Sequence, residues 1–166
     1  MNTCYILIGS AASGKTTWAS NHKRPDDAQV SLDIYRIAFY KSMHPAEDDV
    51  KYDSAWTYCC SHGKEFDDYV KAEAKLAFTL AAKNNNNVYV DNTNLTAKSR
   101  KRWVDLAKKH NFKIIAVEFR NTLQRVLERN ANRQDKFILE NVVKDQFYRQ
   151  ECVQLGVEVD DIITIR

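Results

Sequence analysis

Gly9, Ser10, Ala11, Ala12, Ser13, Gly14, Lys15 and Thr16 fit the pattern G-x-x-x-x-G-K-[ST]. Small residues in a strand-to-helix turn let successive backbone N–H groups face one concavity. That concavity lies at the positive end of a helix dipole and suits a phosphate. Gly9 and Gly14 leave out the Cβ where the backbone turns tightly or meets a ligand. Lys15 supplies a mobile positive charge for outer phosphates, and the Thr16 hydroxyl can ligate Mg²⁺. Gly9 through Thr17 are therefore assigned to a nucleoside triphosphate such as ATP. The same octet can arise by chance in a turn, so its flanks matter. Residues 4–8 are an apolar strand-like run, and residues 17–20 can continue as a helix.

Phosphoryl transfer also needs a group to deprotonate or orient an acceptor, and charges to neutralise the moving phosphate. Asp33 follows a short strand-like segment (28–31), and Arg36 lies three residues on. A carboxylate can take a hydroxyl proton while the arginine grips an anion on the acceptor. A helix-capping Asp33 beside a solvated Arg36 is the plain alternative. Asp91, Asn92 and Thr93 end the apolar run 88–90. Asp91 there can hold Mg²⁺ directly or through water, can orient the attacking group, or can simply cap a turn. Arg129 and Arg133, four apart, would share one side of a helix and close over the β- and γ-phosphates. An exposed basic helix is the alternative for that pair.

The elements that must position these residues follow from periodicity. Apolar runs at 4–8, 28–31, 88–91, 113–119 and 161–165 read as strands. Phe66, Val70, Ala74, Ala77 and Ala81 form a helical stripe over 61–83. Helices are also expected over 96–110, from Leu123 onward, and over 138–155, the last ended by Gly156. The order βαβαβαβαβ with short connections implies a parallel sheet with helices on both faces and right-handed crossovers. On this pattern Asp33 ends the strand beside the P-loop strand, at the sheet edge where α/β proteins bind ligands. Residues 45–53 read as acidic and irregular. Trp56 and Tyr58 suit either the core or an acceptor groove.

At 166 residues, 44% hydrophobic and 28% charged, the expected organisation is a single domain over 1–166. No apolar run reaches the ~20 residues that span a bilayer, and the N-terminus lacks signal-peptide layout. The four cysteines show no C-x-x-C pairing, so zinc is not expected, and reduced thiols in a cytoplasm are. The net charge of +3 conceals a basic block. Residues 94–136 carry 12 Lys and Arg against 4 Asp and Glu, a candidate polyanion surface.

The motif at residue 9, Leu32-Asp33-x-x-Arg36, Asp91-Asn92-Thr93-Asn94-Leu95 and Arg129-Asn130-x-x-Arg133 occur in this order along the chain. In that combination the sequence resembles the 5′-hydroxyl polynucleotide kinases, and among them the kinase domain of bacteriophage polynucleotide kinase-phosphatase. The resemblance implies a three-layer α/β P-loop kinase fold, with a mostly parallel five-stranded sheet and an Arg-bearing lid. It implies ATP as donor, Mg²⁺, and the 5′-OH end of DNA or RNA as acceptor. It gives Lys15 phosphate contact, Thr16 the metal, Asp33 the role of general base, Arg36 the acceptor's 3′ phosphate, and Arg129 and Arg133 the lid. Host cytoplasm is the compartment implied for a phage-like protein. Relatives often carry Arg or Asp where Ser31 and Leu32 stand. Aligned to a shifted D-T-N, Asn92 occupies the place of an acid, so either Asp91 or Asn92 fills the acidic role. With no phosphatase motif in the sequence, a kinase-only form is expected. A small-molecule kinase of the same superfamily is the alternative. A non-catalytic nucleotide switch would leave the Asp33/Arg36 pair without a task.

Overall fold

The computed structural model describes residues 2–46, 52–134, 136 and 138–166, with the backbone alone for Tyr52 and Asp53. Most of the acidic stretch expected to be irregular, 47–51, lies outside the described residues. Five strands form one sheet: β1 (Thr3–Ile8), β2 (Ala28–Val30), β3 (Val88–Val90), β4 (Lys113–Phe119) and β5 (Asp161–Ile165). Their order is β2-β3-β1-β4-β5, with every pairing parallel. The helices are α1 (Lys15–His22), α2 (Leu32–Met43), α3 (Tyr52–Lys83), α4 (Ala97–Lys109), α5 (Leu123–Ala131) and α6 (Glu140–Tyr148).

Burial explains why the strands read as continuous apolar runs. Along β1, Cys4, Ile6 and Ile8 pack on one face, against Phe78 of α3 and Trp103 of α4. Leu7 packs on the other face, with Ala19 of α1 and Phe119 of β4. A parallel strand covered on both sides needs apolar residues at every position.

Several expectations change. The strand beside β1 is β3, not β2, so Asp33 descends from the sheet's edge strand. Val30 pairs with Val90, and Val90 with Ile6, so both chains still leave the sheet at the same end as the P-loop. The middle helix begins nine residues earlier than its stripe indicated, at Tyr52, with non-helical dihedrals at Gly63. The helix expected over 138–155 spans only Glu140–Tyr148. Glu151 N–H instead donates to Leu95 O (2.8 Å), and Gly156 sits in a turn beside the Leu155–Val159 bridge.

The basic block also divides. Arg100, counted among the surface charges, is wholly buried. Its guanidinium donates to the carbonyls of Asn94, Leu95 and Cys152 and to the Glu158 carboxylate at 3.0 Å. It thereby ties the turn after β3 to the segment leading into β5. Removing one partner of a buried ion pair costs about 3–5 kcal/mol. Arg100→Ala is therefore expected to lower Tm by about 10 °C, at about 2–4 °C per kcal/mol for a chain of this size. Lys101→Ala removes only an exposed pair with Asp105 and is expected to shift Tm by less than about 2 °C. Equal losses in thermal denaturation would contradict this division.

Candidate active site

The P-loop closes as its composition requires. Ala12 (φ 60°) and Gly14 (φ 101°) are both left-handed, turning the chain from β1 into α1. A Cβ on Gly9 would stand 2.7 Å from Ser13 Oγ and 3.0 Å from Phe119 Cβ. Lys15 lies across the loop, donating to Gly9 O (2.9 Å), Ser10 O (2.6 Å) and Ser13 Oγ (3.3 Å). Burial is the main cause pulling its pKa down to about 8. Asp91 and Asp33 oppose that shift, while Lys136 and Arg133 reinforce it. Thr17 lines the same cavity.

Asp91 is the hub. Its Oδ2 accepts from Thr16 Oγ1 at 2.8 Å and from Gln29 Nε2 at 2.9 Å. A threonine hydroxyl touching a carboxylate at a phosphate cradle suits Mg²⁺, which takes few protein ligands and completes its shell with water and phosphate. Among the described residues no cluster of three or more His, Cys, Asp or Glu gathers as a metal site. Asn92 Oδ1 accepts from Leu32 N (2.9 Å), fixing the turn into α2. Thr93 O accepts from Gly9 N (3.1 Å). Asn94, left-handed at φ 47° and buried, donates to Leu7 O (2.8 Å) and Val90 O (3.2 Å). The Asp91–Asn94 turn thus fastens β2, β3 and the P-loop to one another.

Asp33 is held from two sides. Arg36 NH1 donates to its Oδ1 at 2.7 Å, and Lys136 Nζ to its Oδ2 at 2.5 Å. Burial pushes the Asp33 carboxyl up, but Lys136 and Arg36 outweigh it and hold the group below the usual carboxylate range. The Arg36 guanidinium also lies 4.9 Å from the centre of the Trp56 ring. Trp56 is 44% exposed, which resolves its two readings toward the cavity wall. Tyr58 contacts Tyr40 and His62 rings instead.

The two arginines expected on one helix face divide at a helix end. Arg129 lies in α5, which stops at Ala131, and Arg133 follows in the loop. Both line the cavity. Arg129 NH1 donates to Ser13 O (3.3 Å) and Asn121 Oδ1 (3.4 Å), reaching the P-loop itself. Buried Asn130 clamps the loop by donating to Ile138 O (2.6 Å) and accepting from Ile138 N (3.3 Å).

Sequence reasoning passed over four contributors. Lys136 was counted only as charge, although it stands three residues beyond Arg133. Asn121 donates to Ser13 O at 3.0 Å. Gln146 of α6 accepts from Ala11 N at 2.8 Å across 135 residues of sequence, which no local signal reveals. Arg102 lines the cavity near Arg36, and its pKa is lowered, first by desolvation, with Asp67 opposing and Arg36 reinforcing. The cavity holding all these groups measures about 910 Å³.

A family model described as an AAA domain (AAA_33) matches residues 5–152. The chain belongs to that family. It is 29% identical over 143 residues to a protein of Autographa californica nuclear polyhedrosis virus provisionally named a bifunctional polynucleotide kinase/RNA ligase. That match covers 86% of this chain and 20% of the viral protein, so the chain spans a fifth of that relative's length. The fold resembles a chain of the Pnkp1/Rnl/Hen1 complex, with TM-score 0.55 and 16% identity over 82% of this chain and 41% of that one. It also resembles a gluconokinase from Sinorhizobium meliloti 1021, with TM-score 0.53 and 13% identity over 98% and 81% of the two chains. Family and fold together make this AAA-domain chain a nucleotide-binding P-loop protein whose fold is shared with solved kinases. No helix among its described residues is long and apolar enough to cross a membrane.

Lys15 gives the site a pH signature. Bound phosphates oppose the burial that lowers its pKa, so nucleotide binding above pH 8 takes up a proton. ATP affinity is expected to be level just below pH 8 and to fall above it, by at most about tenfold per pH unit. Calorimetric titration between pH 7 and 9.5 checks this, and an affinity unchanged across that range would contradict it.

Proposed function

We propose that this chain is an ATP-dependent kinase for 5′-hydroxyl ends of DNA or RNA. The observation that carries the reading is the wall facing the P-loop. Asp33 stands there beside Arg36, with Arg102 and the exposed Trp56 lining the same cavity. Guanidinium groups recognise phosphates, and an exposed aromatic face accepts a stacked base. A strand end offers a hydroxyl, a phosphate and a base together. The viral relative's name supports the same acceptor class.

In the proposed reaction, the acceptor's 5′ oxygen attacks the γ-phosphorus while the bond to the β-phosphate oxygen breaks. The hydroxyl proton passes to the Asp33 carboxylate, and ADP departs with the electron pair of the broken bond. Lys15, Arg129 and Arg133 balance charge on the donor phosphates. Thr16, with Asp91 behind it, would hold Mg²⁺, which when bound would supply positive charge to the donor phosphates. Asn92 shapes the acceptor side by fixing the turn into α2, and Thr93 ties that wall to the start of the P-loop. Arg36 grips the phosphate next to the reacting hydroxyl.

The gluconokinase likeness favours a second reading, phosphorylation of a small-molecule hydroxyl on the same machinery. One assay separates the two. ATP labelled at the γ-phosphate is offered with 5′-OH oligonucleotides, 5′-phosphorylated controls and a panel of sugars and nucleosides. Label is expected only on the 5′-OH strands. Asp33→Ala should slow transfer by about 10²–10⁴-fold, and Lys15→Ala by about 10²-fold or more. Transfer to a small molecule and never to an oligonucleotide would overturn the proposed acceptor.

A further inference from the structure

We propose that Lys136 is a positioning residue that covers Asp33 until the donor's phosphates arrive, its ammonium then passing from the carboxylate to the phosphate chain. The inference rests on the reading of Asp33 as the base. Lys136 and Arg36 each bond a different oxygen of that carboxylate, at 2.5 Å and 2.7 Å. An acceptor hydroxyl must therefore enter a carboxylate already engaged on both oxygens.

The two cations are not equivalent. Arg36 is on the same helix as Asp33, one turn along, and its ring contact with Trp56 holds it against the acceptor wall. Lys136 comes from the loop after α5 that Asn130 clamps at Ile138, the loop that also carries Arg133. Lys136 lines the cavity together with Lys15, and each raises the cost of the other's charge. The charged and titratable groups that Asp33 faces are Arg36 from its own helix, Cys59 from α3, Lys15 from α1 and Lys136 from the loop. A triphosphate carries more negative charge than one carboxylate. Its arrival in the P-loop gives the Lys136 ammonium a stronger partner within the same cavity. A lysine side chain has the rotatable bonds to make that exchange without movement of the backbone. Donor binding thereby uncovers the base, and the hydroxyl takes the vacated place on Oδ2.

The test uses Lys136→Gln, Lys136→Arg and Asp33→Ala in the full chain. Binding of a 5′-OH oligonucleotide is measured with and without a non-hydrolysable ATP analogue, and kcat/KM is followed against pH. Wild type is expected to bind the oligonucleotide about tenfold or more tightly when the analogue is present. In Lys136→Gln that dependence should vanish. Losing one opposing cation raises the carboxyl's pKa, so the acidic limb of the profile should move up by about one pH unit. Lys136→Arg should restore both behaviours. An unchanged acidic limb and an unchanged dependence on the analogue in Lys136→Gln, with Asp33→Ala inactive, would overturn this inference alone. Transfer retained by Asp33→Ala would overturn the assignment of the base, and this inference with it.

Discussion

One carboxylate oxygen joins the two halves of this site. Asp91 Oδ2 accepts from Thr16, which opens the helix after the P-loop, and from Gln29, which belongs to the edge strand leading to Asp33. That arrangement requires β3 to lie between β1 and β2, as it does. With Asn92 fixing the start of α2 and Asn94 fixing the end of β1, a four-residue turn sets the distance between phosphate cradle and candidate base. Each bond is modest in strength, about 1 kcal/mol net for the amide pairs and about 1.5–3 kcal/mol for those to the carboxylate. Their effect lies in position, since two turns from different strands are locked to a third.

The cavity is an arrangement of opposed charges. Lys15, Arg129, Arg133 and Lys136 surround two carboxylates, and the loop carbonyls of Gly9, Ser10 and Ser13 accept from Lys15 and Arg129. Such a site is primed for anions, because an entering phosphate replaces contacts the cations already make with weaker acceptors. The same logic separates Arg100 from its neighbours. It is equally charged and in the same block, but its carbonyl and Glu158 partners make it a structural tie.

Much of this was legible in the sequence. The inner strands β1, β3 and β4 were visible because a parallel sheet buried on both faces leaves a nearly unbroken apolar run there, while the more exposed edge strands β2 and β5 read only as short segments. The P-loop was visible because its function fixes residue types at fixed spacing. Asp33 and Asp91 stood out as acids ending such runs. Strand order was not legible, since nothing in β2 or β3 alone says which pairs with β1. The end of α6 was missed because Glu151 gives its N–H to Leu95 rather than to a preceding helical turn, and that of α5 because the side chain of Asn130 bonds Ile138 beyond the helix, a contact the local pattern does not show. Gln146 and Lys136 act through contacts across 135 and 103 residues, which no local pattern encodes. Arg100 misled for the same reason, as its partners lie mostly outside its own helix.

The proposed reaction requires a donor in the P-loop and a strand end at Asp33 to face each other across this cavity. The most direct test is a structure with a non-hydrolysable ATP analogue and a short 5′-OH oligonucleotide bound together. The terminal 5′ oxygen is expected within hydrogen-bonding distance of Asp33 and in line with the γ-phosphorus and its leaving oxygen. A strand bound with its 5′ end away from Asp33, or on another face of the protein, would contradict it.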